Sequence, residues 1–185
     1  MKKFWILLLS LTLGCTLAFA QDIPAAIERA NEKRTAFEGR FEEIKVSPAG
    51  KESVLEGKLE YRQPDAMSMI YDDKQNAFNI VGDSMIIVRN GTRSVYDLTK
   101  NVMMRRLRSI LMDSMAGRLQ KMAEEQDAEM VVKSTKTQHT VTFTPRKKTP
   151  GGYSEVQCVY NVNGGQLVQM VMAEWSGQKT TIRLK

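Results

Sequence analysis

Histidine is almost missing from this 185-residue sequence, with His139 alone, and cysteine occurs only at Cys15 and Cys158. A single imidazole in a run of Thr and Val, with no recognisable motif around it or around any nucleophile, argues against a histidine-based triad. One His and one Cys beyond position 20 leave carboxylates as the remaining metal ligands, and these are scattered without the spacing of a binding loop. Asp72-Asp73-Lys74 reads as a turn, and Gly151-Gly152 and Gly164-Gly165 as loop glycines, since neither pair opens a helix in phosphate-binding form. Asn90-Gly91-Thr92 matches a glycosylation sequon, but the same residues suit a hairpin turn. No basic stripe with interleaved aromatics appears, which argues against a nucleic-acid partner.

Met1 to Ala20 has the form of a targeting segment: Lys2 and Lys3, an apolar run from Phe4 to Leu13 too short to span a bilayer as a stable helix, and the small-x-small site Ala18-Phe19-Ala20. Cleavage there starts the mature chain at Gln21. A competing reading takes Leu13-Gly14-Cys15 as a lipobox, although Thr12 sits where that motif usually has Leu, and it would leave the protein tethered through Cys15. The remaining 21–185 segment, about 165 residues, is enough for one domain with a sizeable core. The 27 Lys and Arg less the two of the leader leave 25 against 21 acidic side chains, a modest +4 spread along the chain. Cys158 has no intramolecular disulfide partner, so an exported fold here is held by its core.

Asp22 to Phe37 predicts an amphipathic helix, capped by Asp22 with Pro24 in its first turn and Ile23, Ala26, Ile27 and Ala30 on the apolar stripe. Phe37 to Val46 alternates as a strand. From Leu55 to Asp97 period-2 alternation recurs between turn signals: Leu55, Gly57, Leu59 and Tyr61 share one face, then Met67, Met69 and Tyr71. Further strands cover Ala77 to Val81, Met85 to Arg89 and Ser94 to Asp97, so five strands in about forty residues must lie side by side in chain order. Asn101 to Glu129 steps Met103, Leu107, Ile110, Leu111, Met115, Leu119 and Met122 at helical spacing, with Gly117 marking a break. Strands then return at Met130 to Lys136, His139 to Pro145, Tyr153 to Val162, with Val156, Cys158, Tyr160 and Val162 on one face, Leu167 to Trp175 and Lys179 to Leu184. A basic loop, Arg146 to Gly152, interrupts them. About ten antiparallel strands with two helical insertions predict a mainly β fold with α: a strongly curved antiparallel sheet forming an unclosed half-barrel, its concave face covered by helices.

The order GKLEYRQPD, a Met-rich strand, NIVGDSMIIV and a strand ending in YD resembles the signature region of the outer-membrane lipoprotein carrier family, LolA and its relatives. The resemblance covers most of the mature chain in element order. It implies the half-barrel fold, no enzymatic activity and no cofactor, and a hydrophobic cavity between sheet and helical lid that shields the acyl chains of lipoproteins in the periplasm. It also implies an inner-membrane lipoprotein-releasing transporter and an outer-membrane acceptor as partners of a monomeric carrier. In that family an arginine before the motif's proline bonds to lid backbone; here Gln63 holds that place and Arg62 lies one residue earlier, facing the other way by strand alternation. Arg62 and Gln63 are the candidate lid contacts. The extra C-terminal segment that many relatives carry is not expected after Ile182.

Eleven methionines follow the leader, from Met67 to Met172. Each taken singly is core filler, but a cavity lined with unbranched, polarizable side chains can repack around ligands of different shape. Leu59, Tyr61, Met67, Met69, Tyr71, Met85 and Ile87 on the sheet, facing Leu107, Leu111 and Met115 on the helix, form the candidate acyl-chain cavity. Two other functions stay open: a lipid-anchored acceptor or lipid-sensing protein of the same superfamily, and a secreted hydrolase that uses His139.

Overall fold

The computed structural model describes residues 22–185, so the leader and Cys15 lie outside the described residues. Helix α1 (Ile23–Glu32) is followed by six strands: β1 (Ala36–Val46), β2 (Glu52–Arg62), β3 (Ala66–Tyr71), β4 (Ala77–Val81), β5 (Ser84–Arg89) and β6 (Thr92–Asp97). Helices α2 (Val102–Ala116) and α3 (Leu119–Gln126) lead to β7 (Ala128–Ser134), β8 (Gln138–Pro145), β9 (Tyr153–Asn161), β10 (Leu167–Glu174) and β11 (Lys179–Leu184).

All eleven strands join one antiparallel sheet in the order β6-β5-β4-β3-β2-β1-β11-β10-β9-β8-β7. Two meanders, β1 to β6 and β7 to β11, are thus sewn together where the first strand meets the last, with Phe41 opposite Leu184 and Val46 opposite Lys179. The end strands β6 and β7 do not pair with each other, so the sheet is an unclosed half-barrel. The expected five-strand meander from Leu55 to Asp97 forms in chain order as β2 to β6. Its Asn90-Gly91 turn has φ of 49° and 76°, the left-handed pair that a type I′ hairpin needs.

Alternation decides which face is covered. Leu59, Tyr61, Met67, Met69 and Tyr71 are buried while Glu60 and Ile70 between them are exposed. Methionines 67, 69, 85, 112, 115, 122, 170 and 172 are all in the core, where their flexible stems fill the space between a curved sheet and helices. Phe41 packs edge-on against Tyr71, ring centroids 5.0 Å apart, beneath the helical layer. Tyr160 reaches up from β9 and donates to the Ser114 carbonyl of α2 at 2.9 Å.

Three details differ from the sequence reading. The first helix ends at Glu32 and not at Phe37, because Thr35 already accepts from Gln63 N at 2.8 Å and Ala36 pairs with Arg62: the β-ladder takes these residues. Its covered side carries Pro24, Ile27 and Asn31, while Ala30 is exposed. Gly117, at φ 72°, splits the second helical piece as expected, which makes three helices among the described residues. The strands among the described residues number eleven, and Val162 lies beyond β9, 38% exposed.

Candidate functional site

The space between α2 and the sheet is filled at one end and hollow at the other. Where Leu59, Met67 and Met170 meet Leu111 and Met115, the residual void is only about 20 Å³. Toward the start of α2 the gap opens into an inner chamber of about 140 Å³ and an outer one of about 540 Å³, which share Ile87, Arg89, Leu107, Tyr153 and Glu174 as walls. The outer chamber falls in the range of about 300 to 1,000 Å³ that organic ligands occupy. Met104, Phe143 and Val156 complete its apolar floor and side, and Val102, Met103 and the loop 149–152 form its rim.

Local chemistry explains the opening. Asn101 caps α2 by accepting from Met104 N at 3.0 Å, so the helix starts abruptly beside the chamber. The loop before β9 closes in on it: Gly151, at φ 68°, takes the left-handed backbone that favours glycine and lies against the Met103 methyl. A register shift between Ala173 and Glu174 turns the end of β10 beside Tyr153.

The residues proposed from sequence are distributed along this gap. Ile87 and Leu107 line both chambers; Met69, Tyr71 and Leu111 line the inner one; Leu59, Met67, Met69, Leu111 and Met115 surround the small void. Tyr61 and Met85, 1% and 0% exposed, sit in the core and line none of these spaces. The outer chamber draws on Arg89, Met103, Met104, Arg106, Phe143, Tyr153 and Val156, which the sequence reading left out of the cavity. Phe143 and Val156 were legible as inward-facing strand positions, but nothing local says that they face a hollow.

Acidic and phenolic groups in the walls are held by partners or kept neutral. Glu43, 5% exposed at the inner chamber, accepts from the Tyr71 hydroxyl and is ion-paired with Lys45. Burial, reinforced by that carboxylate, pushes the Tyr71 hydroxyl well above the usual phenol range. Burial likewise takes Tyr153 up to about 12, with Glu174 adding to the shift and Arg89 opposing it. Neither phenol is a base at neutral pH. His139 bonds Ser134 at 2.8 Å across the exposed β7–β8 hairpin. Among the described residues no carboxylate hydrogen-bonds that ring, and neither residue lines the chambers. No cluster of three or more metal-ligating side chains occurs among the described residues.

At the closed end α1 is tied down. Gln63 Nε2 donates to the Arg34 carbonyl at 3.1 Å, just past the end of α1. Buried Asn31 donates to the Gly165 carbonyl at 2.8 Å in the β9–β10 turn. Arg62 is exposed on the opposite side of its strand. Deeper in the helical layer Asp113, 1% exposed, receives Arg118 Nε at 2.7 Å, Lys121 Nζ at 3.2 Å and Ser109 Oγ at 2.8 Å.

No protein-family model and no curated protein matches this chain. Among solved structures, a LolA superfamily protein from Nitrosomonas europaea is similar over 90% of this chain and 91% of its own, at 9% identity and a TM-score of 0.41. A DUF1329 family protein from Desulfovibrio piger is similar over 89% of each chain, at 10% identity and a TM-score of 0.47. The MucA/MucB complex from Pseudomonas aeruginosa is similar over 86% of this chain and 53% of that chain, at 10% identity and a TM-score of 0.48. Likenesses this distant carry no argument about ligand or partner. The half-barrel with a helical cover stands on the sheet order and the packing of α2, and it is the layout that the resemblance to lipoprotein carriers implied. No helix among the described residues is long and apolar enough to cross a membrane.

Proposed function

We propose that this protein is a non-enzymatic carrier that holds the acyl chains of lipoproteins in the paired chambers and moves them through the periplasm to the outer membrane. The observation that carries the reading is the hollow of about 540 Å³ between α2 and the sheet, walled by Ile87, Leu107, Phe143 and Val156. An acyl chain needs no directional contact; burying it contributes roughly 0.8 kcal/mol per CH₂, so an apolar chamber suffices for capture. Release requires that the cover move at modest cost, and at the chamber end α2 has its first turn exposed, at Val102 and Met103. Residues 1–20 serve as the export signal, with the carrier domain starting at Gln21, and an inner-membrane transporter and an outer-membrane acceptor stand at the two ends of the route.

The test is binding of a synthetic acylated peptide and its unacylated twin to the purified protein, followed by native mass spectrometry without detergent. The acylated form should bind and the twin should not. Leu107→Trp, which fills the shared wall of both chambers, should weaken acyl binding at least tenfold while the protein stays folded by circular dichroism. Equal binding of the two peptides, or unaltered binding by the folded Leu107→Trp variant, would sink the reading.

A further inference from the structure

The rim of the outer chamber has features that acyl-chain burial does not require. Val102, Met103 and Trp175 are 54%, 45% and 37% exposed. They come from different segments that the fold brings together: Met103 packs against Gly151, and Trp175 N donates to the Gly152 carbonyl at 3.4 Å. Cations surround them. Lys148 Nζ lies 5.7 Å from the centre of the Trp175 ring, Lys147 precedes it on the same loop, and Arg89 and Arg106 line the chamber behind. None of these four has a carboxylate within ion-pair distance among the described residues. The acids nearby are already engaged: Glu174 accepts from Ser176 and Gln178, both at 2.9 Å, and Asp127 pairs with Arg146 at 3.0 Å. On the outer face of the sheet the cations divide: Arg40, Arg183 and Lys185 each meet a carboxylate, while exposed Lys58 and Arg62 meet none among the described residues. The first turn of α2 also carries no acidic residue, which leaves the positive end of its dipole uncompensated at the rim.

We propose that this rim docks directly on the surface of an anionic bilayer. Trp175, Met103 and Val102 enter the headgroup boundary, and Lys147 and Lys148 lie against the lipid phosphates. Tryptophan and basic side chains are the residues that settle at this depth, the ring at the headgroups and the ammonium on its outer side. Docked in this way, the rim would set the chamber opening against the membrane, so that an acyl chain could pass without crossing open water. The proposal extends the carrier reading and does not depend on which acylated molecule is carried.

Trp175 is the sole tryptophan of residues 22–185, which supplies the probe. The mature protein is mixed with vesicles of phosphatidylethanolamine and phosphatidylglycerol, or of phosphatidylcholine alone, at low salt; flotation and tryptophan emission are read together. The anionic vesicles should carry the protein upward, shift the emission to the blue and quench it when the acyl chains are brominated, and added salt should reverse this. Each charge near such a surface contributes about fivefold in affinity, so Lys147→Glu with Lys148→Glu should weaken binding more than tenfold. Lys58→Glu with Lys133→Glu, on the exposed sides of β2 and β7, should not. No flotation with anionic vesicles, equal flotation with neutral ones, or equal loss in the two double variants overturns the proposal, the last two pointing to a docking partner other than an anionic lipid surface. Acyl-peptide binding, measured on the same samples, separates the two ideas: vesicle binding lost with peptide binding intact removes docking alone, and the reverse removes the carrier reading alone.

Discussion

Beneath the C-terminal half of α2, Leu111 and Met115 press on Leu59, Met67 and Met170 and leave about 20 Å³, whereas beneath its first turns Leu107 stands opposite Ile87 and Phe143 across about 540 Å³. Both ends draw on apolar side chains from alternating strand positions, but the hollow end adds Arg89, Arg106, Tyr153 and Glu174. They differ in what stands behind the helix. The C-terminal half is backed by α1 and α3, with Gly117 against Ile27 and the Asp113 cluster locking the helical layer together. Toward its start α3 reaches only Arg106, whose carbonyl accepts from Gln126 Nε2 at 3.2 Å, and Val102 and Met103 ahead of it are exposed. The hollow therefore coincides with weaker support behind the helix and with charged and aromatic side chains in its walls.

Truncation should be costly at the filled end and cheap at the hollow one. Met67→Ala should destabilise the protein by about 2–5 kcal/mol, since it opens a cavity in tight packing, while Ile87→Ala, on a wall that already faces empty space, should cost less than about 1 kcal/mol. Urea denaturation of the two variants checks this, and equal losses would break the contrast.

The second test concerns polar support. Asp113→Asn removes the charge that holds Arg118 and Lys121, which are 24% and 48% exposed and so partly screened. A loss of about 2 kcal/mol is expected, against less than about 0.5 kcal/mol for Glu174→Gln at the chamber wall. Thermal melts of both variants would show whether the helical layer depends on its filled end.

Strand β9 runs between the two ends and supplies a pH test. Burial pushes the Cys158 thiol from 9.0 up to about 12, with the neighbouring Tyr160 hydroxyl opposing the shift. Below pH 9 the thiol is protonated in both states, and its contribution is fully present. Above that the unfolded chain loses the proton and the folded chain keeps it, so stability falls by ~1.4 kcal/mol per pH unit toward 12. Tyr61 and Tyr153, both raised to about 12 by burial, add to the fall above 10. Urea midpoints at pH 8, 9 and 10 should therefore decline, and Cys158→Ala should decline less between 9 and 10; an identical slope in the variant would mean that the thiol is not kept neutral.

A further modest effect is expected at the tie between α1 and β2. Gln63→Ala removes one part-buried hydrogen bond to the Arg34 carbonyl and should cost about 1 kcal/mol. Hydrogen exchange should show faster opening in α1 and little change at the start of α2, because that region is not held through this contact.

Much of this architecture was readable in the chain. The run from Leu55 to Tyr71 declares its buried face through period-2 alternation, and Asn90-Gly91 and Gly117 mark a turn and a helix break that form where expected. Asn101 and Asp22 cap the helices they precede. The candidate site was readable only as a surface: Met69, Tyr71, Ile87, Leu107 and Leu111 could be assigned to the facing sides of sheet and helix. Which of them touch each other and which face a void could not, since Met85 and Ile87 have the same strand phase and one is fully buried while the other lines both chambers.

The sequence by itself determined what depends on near neighbours: the strand phases, the turns, the helix starts and the antiparallel order within each meander. Tertiary structure alone decided that β1 pairs with β11, so that the two meanders become one sheet, and that Arg89, Met103, Tyr153 and Gly151 meet around one opening. Alternation and capping are written into residues one to four apart, whereas a cavity is the difference between the volume that distant elements enclose and the volume their side chains fill. That difference has no local period, and it appears only when the whole cover has been placed.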